Sequence, residues 1–146
     1  MTQKGRARRR LIARLVPRGR HVIDVGADHG MVADSIGAIA TERMPHRRGS
    51  AADRTGPAGL TWVIADGLAP FRTVDVAIIA GMGSKTIEGI LTRGPTPTTL
   101  IAHAPDDPQR LRKWLASHGW RIDSERPAPE GHRLAESLDL HHLVGQ

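Results

Sequence analysis

Cysteine and tyrosine are missing from this chain of 146 residues, phenylalanine occurs once and tryptophan three times. Without cysteine there can be neither a disulfide nor a thiolate metal site. So few aromatic rings leave no evident platform on which single-stranded bases could stack. No apolar run approaches the roughly 20 residues that a membrane-spanning helix needs, and the basic N-terminal stretch is not followed by the apolar core of a signal peptide. The expectation is a cytoplasmic chain with no membrane partner. The eight histidines are scattered, and His141 and His142, adjacent on an expected strand, would point to opposite faces, so no metal is expected.

What is present is positive charge, +6 in all, and it is unevenly placed. Lys4, Arg6, Arg8, Arg9, Arg10, Arg14, Arg18 and Arg20 all precede the first acid, Asp24. Such a segment attracts a polyanion through salt-dependent phosphate contacts, or else remains a solvated tail. The length suits one domain with a real core. Residues 1–7 read as a basic flexible N-terminal arm and residues 8–146 as a single domain. At the start of that domain Leu11, Ile12, Leu15 and Val16 share one helical face, and Pro17 ends the pattern.

The stretch around which the chain is organised runs from Val22 to Gly30. An apolar run reaches Asp24, turns through Gly26 and Gly30, and continues into helical spacing at Met31 to Ile36. That is strand, tight turn and helix, with backbone N–H groups exposed to a nucleotide-like ligand. Further strands are expected at residues 38–41, 60–65, 74–80, 98–103, 120–124 and 134–144. Helices are expected at residues 85–91 and from the Pro105-Asp106-Asp107-Pro108 cap to Gly119. Residues 43–59 read as a shortened crossover or a mobile loop, which could leave an apolar edge for a second copy to cover. Pro127, Pro129 and Gly131 mark a loop. The resulting fold class is α/β: a three-layer Rossmann-like sandwich on a mostly parallel seven-stranded sheet with an antiparallel last strand.

In such a sheet ligands gather at the carboxyl ends of the strands. Glu42, ending the second strand, is placed to accept the hydroxyls of a ribose. Asp66 and Gly67 end the third, within reach of an adenine amino group. The fourth and most apolar strand ends in Gly81-Met82-Gly83, whose backbone is open where a substrate would meet the ligand. The G-x-x-x-G spacing after Asp24 is the looser form found where the ligand has no pyrophosphate, as in S-adenosylmethionine sites.

These landmarks together resemble the bacterial tRNA (adenine(22)-N(1))-methyltransferase family of class I S-adenosylmethionine-dependent methyltransferases. Leu11 through Gly19 and then Asp24-Val25-Gly26-Ala27-Asp28-His29 are similar to its R-L-x-x-(V/I)-A-x-x-(I/V)-P-x-G lead-in and D-I-G-(S/T)-D-H turn. Asp66-Gly67-Leu68 matches D-G-L, Ile78 through Gly83 matches I-x-I-A-G-M-G, and Leu111-Arg112-x-Trp114-Leu115 matches L-R-x-W-L. The chain departs from the family at Gly30-Met31-Val32, where A-Y-L is usual, and at His103-Ala104-Pro105, where Q-P-N is usual. The form expected is a shortened one without the family's C-terminal helical domain.

The resemblance implies methylation of N1 of a tRNA adenine, with S-adenosyl-L-methionine as cofactor and tRNA or another RNA as partner. Asp24, Gly26, Ala27, Asp28, His29, Gly30, Glu42, Asp66, Gly67 and Gly81 would hold the cofactor. Asp28, Gly81, Met82 and Gly83 would align the reaction. Arg8, Arg9, Arg10, His29 and His103 would meet substrate, although each histidine could instead be structural, His103 more so than His29. Two other readings stay open: a degenerate, non-catalytic domain that binds cofactor or RNA, and a methyltransferase acting on a small molecule.

Overall fold

The computed structural model describes residues 3–26, 36–43, 61–130 and 133–142. Its elements in chain order are α1 (Gln3–Leu15), β1 (Val22–Val25), β2 (Ile39–Glu42), β3 (Trp62–Ile64), β4 (Val76–Ala80), α2 (Ser84–Arg93), β5 (Thr99–His103), α3 (Pro108–Ser117), β6 (Trp120–Glu130) and β7 (Arg133–His142). The seven strands form one sheet in the order β3-β2-β1-β4-β5-β7-β6. Strands β1 to β5 run parallel, and β7 lies antiparallel to both β5 and β6. The doubly wound α/β fold expected from the sequence is therefore the one observed, reversed strand included.

Strand alternation sorts the core into two faces. Val22, Ala40, Val76, Ile78 and Ile101 pack with Ile12 of α1 on one side. Ile23, Val25, Ala77, Ile79, Leu100 and Ala102 pack with Ile87, Ile90 and Leu91 of α2 and Leu111 and Leu115 of α3 on the other. Burial of both faces is what makes β4 an unbroken apolar run, and each wholly buried isoleucine there contributes about 2 kcal/mol through removal from water. On α2 and α3 the inward residues recur at helical spacing, as the sequence indicates. Trp114 is only partly buried on the rim of the core, where its ring stacks on His118 at 3.9 Å.

Three local features differ from expectation. Helix α1 begins at Gln3, not near residue 8, so most of the stretch expected to be flexible is helical. Arg6 and Ala7 favour a helix and Gly5 does not, and α1 is also in contact with β6, a tertiary partner that the sequence does not reveal. Strand β6 does not stop at residue 124 but continues through Pro127 and Pro129 to Glu130, turning the expected loop into a long hairpin with β7. Proline is tolerated there because β6 is the outermost strand, with one edge that needs no amide donors. Strand β7 begins at Arg133, one residue before the expected start. The crossover expected at residues 43–59 and nearly all of the helix expected after Gly30 lie outside the described residues.

Candidate functional site

The parallel strands bring four segments to one edge of the sheet. Val25 is in register with Thr41 on one side and Ile79 on the other, so Gly26 stands level with Glu42 and Ala80. Glu42 in turn pairs with Ile64, and Ala80 with His103. The ends of β3, β2, β1, β4 and β5 thus form one line, the place where ligands of such sheets bind.

Gly26 has φ +64°, and a Cβ added there would collide with Cε of Met82. The first turn and the turn after β4 are therefore in van der Waals contact, and glycine is required at position 26 both for its conformation and for its lack of a side chain. Met82 itself packs against the core. Gly81 has φ +75°, and the Arg8 guanidinium lies against it, with Nη1 3.5 Å from where a Cβ would stand. The Gly81 amide donates to the carbonyl of His103 at 3.0 Å, which extends the β4 to β5 pairing one residue past the strands.

Three carboxylates lie along the same edge. Asp24 and Glu42 are both buried, and the Ala65 amide donates to the Glu42 carbonyl at 3.2 Å. By alternation both acids project to the face of the sheet that α1 covers. Asp66 is exposed and pairs with Arg93 at 3.4 Å. Gly67, at φ +64°, has a different explanation from ligand contact: a Cβ there would press on Ile90 at 3.0–3.4 Å, so this glycine lets the loop pack on α2.

His103 is 1 % exposed, inside the sheet edge rather than on the surface where RNA would first make contact. In α1, Arg9 is half-buried and Arg10 exposed. Ala27, Asp28, His29 and Gly30 lie outside the described residues. The structure brings together Gly26, Glu42, Gly81, Met82 and, from α1, Arg8.

Sequence reasoning misses Asp106. The two adjacent acids before Pro108 are expected to cap one helix, and they cap two. Asp107 accepts from the Arg110 amide at 3.0 Å and caps α3. Asp106 accepts from the Ser84 amide at 3.0 Å and serves α2, whose own N-cap is Gly83 with no side chain to offer. The available signal is that α3 needs only one such acid. Across the same two helices Arg110 holds Glu88 through paired bonds of 3.0 and 3.2 Å. This contact with Glu88 raises the pKa of Arg110 further above its ordinary value. Among the described residues no group of histidines and acids could hold a metal ion, and no helix is long and apolar enough to cross a membrane.

Comparison with known proteins agrees with this fold. A family model described as a methyltransferase domain matches residues 6–137. No curated protein matches the chain by sequence. Among solved structures, a candidate tRNA (m1A22) methyltransferase from Streptococcus pneumoniae, in complex with S-adenosyl-L-methionine, is 30% identical, with a TM-score of 0.83 over 92% of this chain and 72% of that one. A Streptococcus agalactiae protein of the NADB-Rossmann superfamily is 27% identical, with a TM-score of 0.79 over 97% of this chain and 68% of that one. The B. subtilis m1A22 tRNA methyltransferase TrmK shares the fold, with a TM-score of 0.78 at 23% identity over 98% of this chain and 67% of that one. The chain belongs to the methyltransferase-domain family and, within it, to the family of the bacterial tRNA (adenine(22)-N(1))-methyltransferases.

Proposed function

We propose that the chain is an S-adenosyl-L-methionine-dependent methyltransferase that modifies N1 of an adenine in tRNA. The observation that carries this reading is the contact between two turns: Gly26 at the end of β1 and Met82 after β4 touch only because position 26 has no side chain. The cofactor turn and the A-G-M-G turn are thereby built as one surface. The residues around it fit a cationic nucleoside. Glu42, level with Gly26, offers a carboxylate to a ribose diol, and Asp24 and Asp66 add negative charge along the same edge. When bound, the cofactor supplies a methyl group activated on a sulfonium.

The protein's part in the reaction is alignment. N1 of adenine has a free lone pair, so no strong base is needed, and the backbone of residues 81–83 sets where the acceptor ring lies. Asp28 and His29 are proposed beside that ring, and Ala27 and Gly30 in the turn that holds the cofactor. The arginines of α1 are proposed to hold RNA phosphates, with Arg8 placed closest to the reacting edge and Arg9 and Arg10 further along the backbone of the RNA.

The test is calorimetric titration with S-adenosyl-L-methionine and with its demethylated product, followed by methyl transfer to unmodified bulk tRNA. Micromolar binding and N1-methyladenine in the digested tRNA are the expected results. Absence of binding to both cofactor forms would refute the reading, and binding without transfer would leave a non-catalytic cofactor domain in its place.

A further inference from the structure

The loop after β5 is fixed at both ends in a way the neighbouring turn depends on. Residue 81 is tied to it by the backbone bond to His103, and residue 84 by the bond from its amide to Asp106 Oδ1, both at 3.0 Å. Ser84 is buried at 1 % exposure, and the Asp106 carboxylate is what its amide bonds to. The second oxygen, Oδ2, lies against Gly83, 3.3 Å from where a Cβ would stand. Asp106 is itself exposed at the carboxyl edge of the sheet. Arg110 is a nearby cation, and its guanidinium is engaged by Glu88 across α2 and α3. The outcome is a carboxylate tethered at the Gly83 end of the turn where the acceptor is proposed to sit, with the Arg8 guanidinium at its Gly81 end.

We propose that Asp106 is the positioning residue of the acceptor side: it fixes the turn at residues 81–83 and sets a negative charge next to it, favouring an acceptor nitrogen that becomes cationic on methylation. This rests on the methyl-transfer reading above. In that reaction a neutral ring nitrogen forms a bond to the methyl carbon while the carbon–sulfur bond breaks and its electron pair goes to sulfur. No proton moves, and the positive charge passes from sulfur to the base. A carboxylate on the acceptor side becomes more favourable as that charge arrives, and an acceptor that must first lose a proton gains less from it.

Two variants separate tethering from charge. Asp106→Asn keeps an oxygen to accept the Ser84 amide and removes the charge, whereas Asp106→Ala removes both. Thermal melting, cofactor titration, kcat and KM on tRNA would be measured for each. So would the affinities for two short RNAs that differ only in adenine versus N1-methyladenine, a readout independent of turnover. Asp106→Asn is expected to melt as the wild type does and to bind cofactor within about twofold. Its kcat should be about fivefold to tenfold lower with KM little changed, and its preference for the cationic base about fivefold smaller. Asp106→Ala is expected to lose thermal stability as well.

An Asp106→Asn protein that keeps wild-type kcat and wild-type preference for the methylated RNA would overturn the assignment while leaving the methyltransferase reading intact. A wild type that neither transfers methyl nor distinguishes the two RNAs would overturn both.

Discussion

Replacing Gly26 with alanine tests the contact on which the site is built. A residue with a Cβ at φ +64° occupies the left-handed region at a cost of about 1–2 kcal/mol. The new methyl group would also collide with Met82 Cε, and moving that side chain off its rotamer costs about 0.5–1.5 kcal/mol. Together these predict a destabilisation of about 1.5–3.5 kcal/mol, or a melting point lower by about 3–14 °C for a chain of this size. Gly19→Ala is the control, because Gly19 has φ +73° and a Cβ there meets nothing within 4 Å. It should show only the conformational part and bind cofactor normally. Gly26→Ala should in addition weaken S-adenosyl-L-methionine by more than about tenfold, since both turns must shift. Calorimetric titration and urea denaturation of the two variants give both quantities. Equal cofactor affinity in Gly26→Ala and Gly19→Ala would refute the idea that the close approach of the turns matters.

Glu42→Gln should weaken cofactor binding about tenfold in the same titration, the value of a hydrogen bond to a charged group, without abolishing folding. Asp107→Ala should cost about 1 kcal/mol in a denaturation experiment through removal of the α3 cap, and leave binding unaffected. Ile79→Ala, at a position with no exposed surface between β1 and β5, should destabilise by about 2–5 kcal/mol. Arg10→Gln combined with Arg14→Gln, both on the exposed side of α1, should reduce the slope of log affinity for RNA against log salt by about 1 for each phosphate no longer neutralised; an unchanged slope would remove those arginines from the interface.

The parts of this fold legible in the sequence are those where a local pattern and the tertiary environment demand the same thing. Strand β4 is an apolar run because both its faces are covered, and α3 carries its cap, its inward leucines and its terminating glycine within a dozen residues. The glycines at 26 and 81 are legible as turns, but which other residue fills the space each one leaves is not, because Met82 and Arg8 come from elsewhere in the chain. The extension of β6 past Pro127 and Pro129 is hidden because proline marks a loop unless the strand is known to be an edge, and edge position depends on the order of the whole sheet. The true start of α1 is hidden because its first turn carries Gly5 and no apolar stripe, and the contact of α1 with β6 is visible only in the folded chain. The role of Asp106 is invisible for a related reason. Two adjacent acids before a proline satisfy the cap of the following helix, and nothing local indicates that one of them reaches back to a helix that starts 22 residues earlier.

The layers of the sandwich give the site its two chemical sides. Alternation along β1 and β2 places Asp24 and Glu42 on the face covered by α1, and the same helix carries Arg8 to Gly81. The opposite face is covered by α2 and α3, and the connection between β5 and α3 carries Asp106 to Gly83. The turn at residues 81–83 is thus approached by a cation from one layer and an anion from the other, with Met82 between them reaching across to Gly26. Neither charge belongs to the turn, whose own side chains are a methionine and two hydrogens. A turn of this kind can be kept constant while the surrounding layers adjust the charge beside it, and Asp106, which directly follows the His103-Ala104-Pro105 departure from the family's usual Q-P-N, lies in one of those layers.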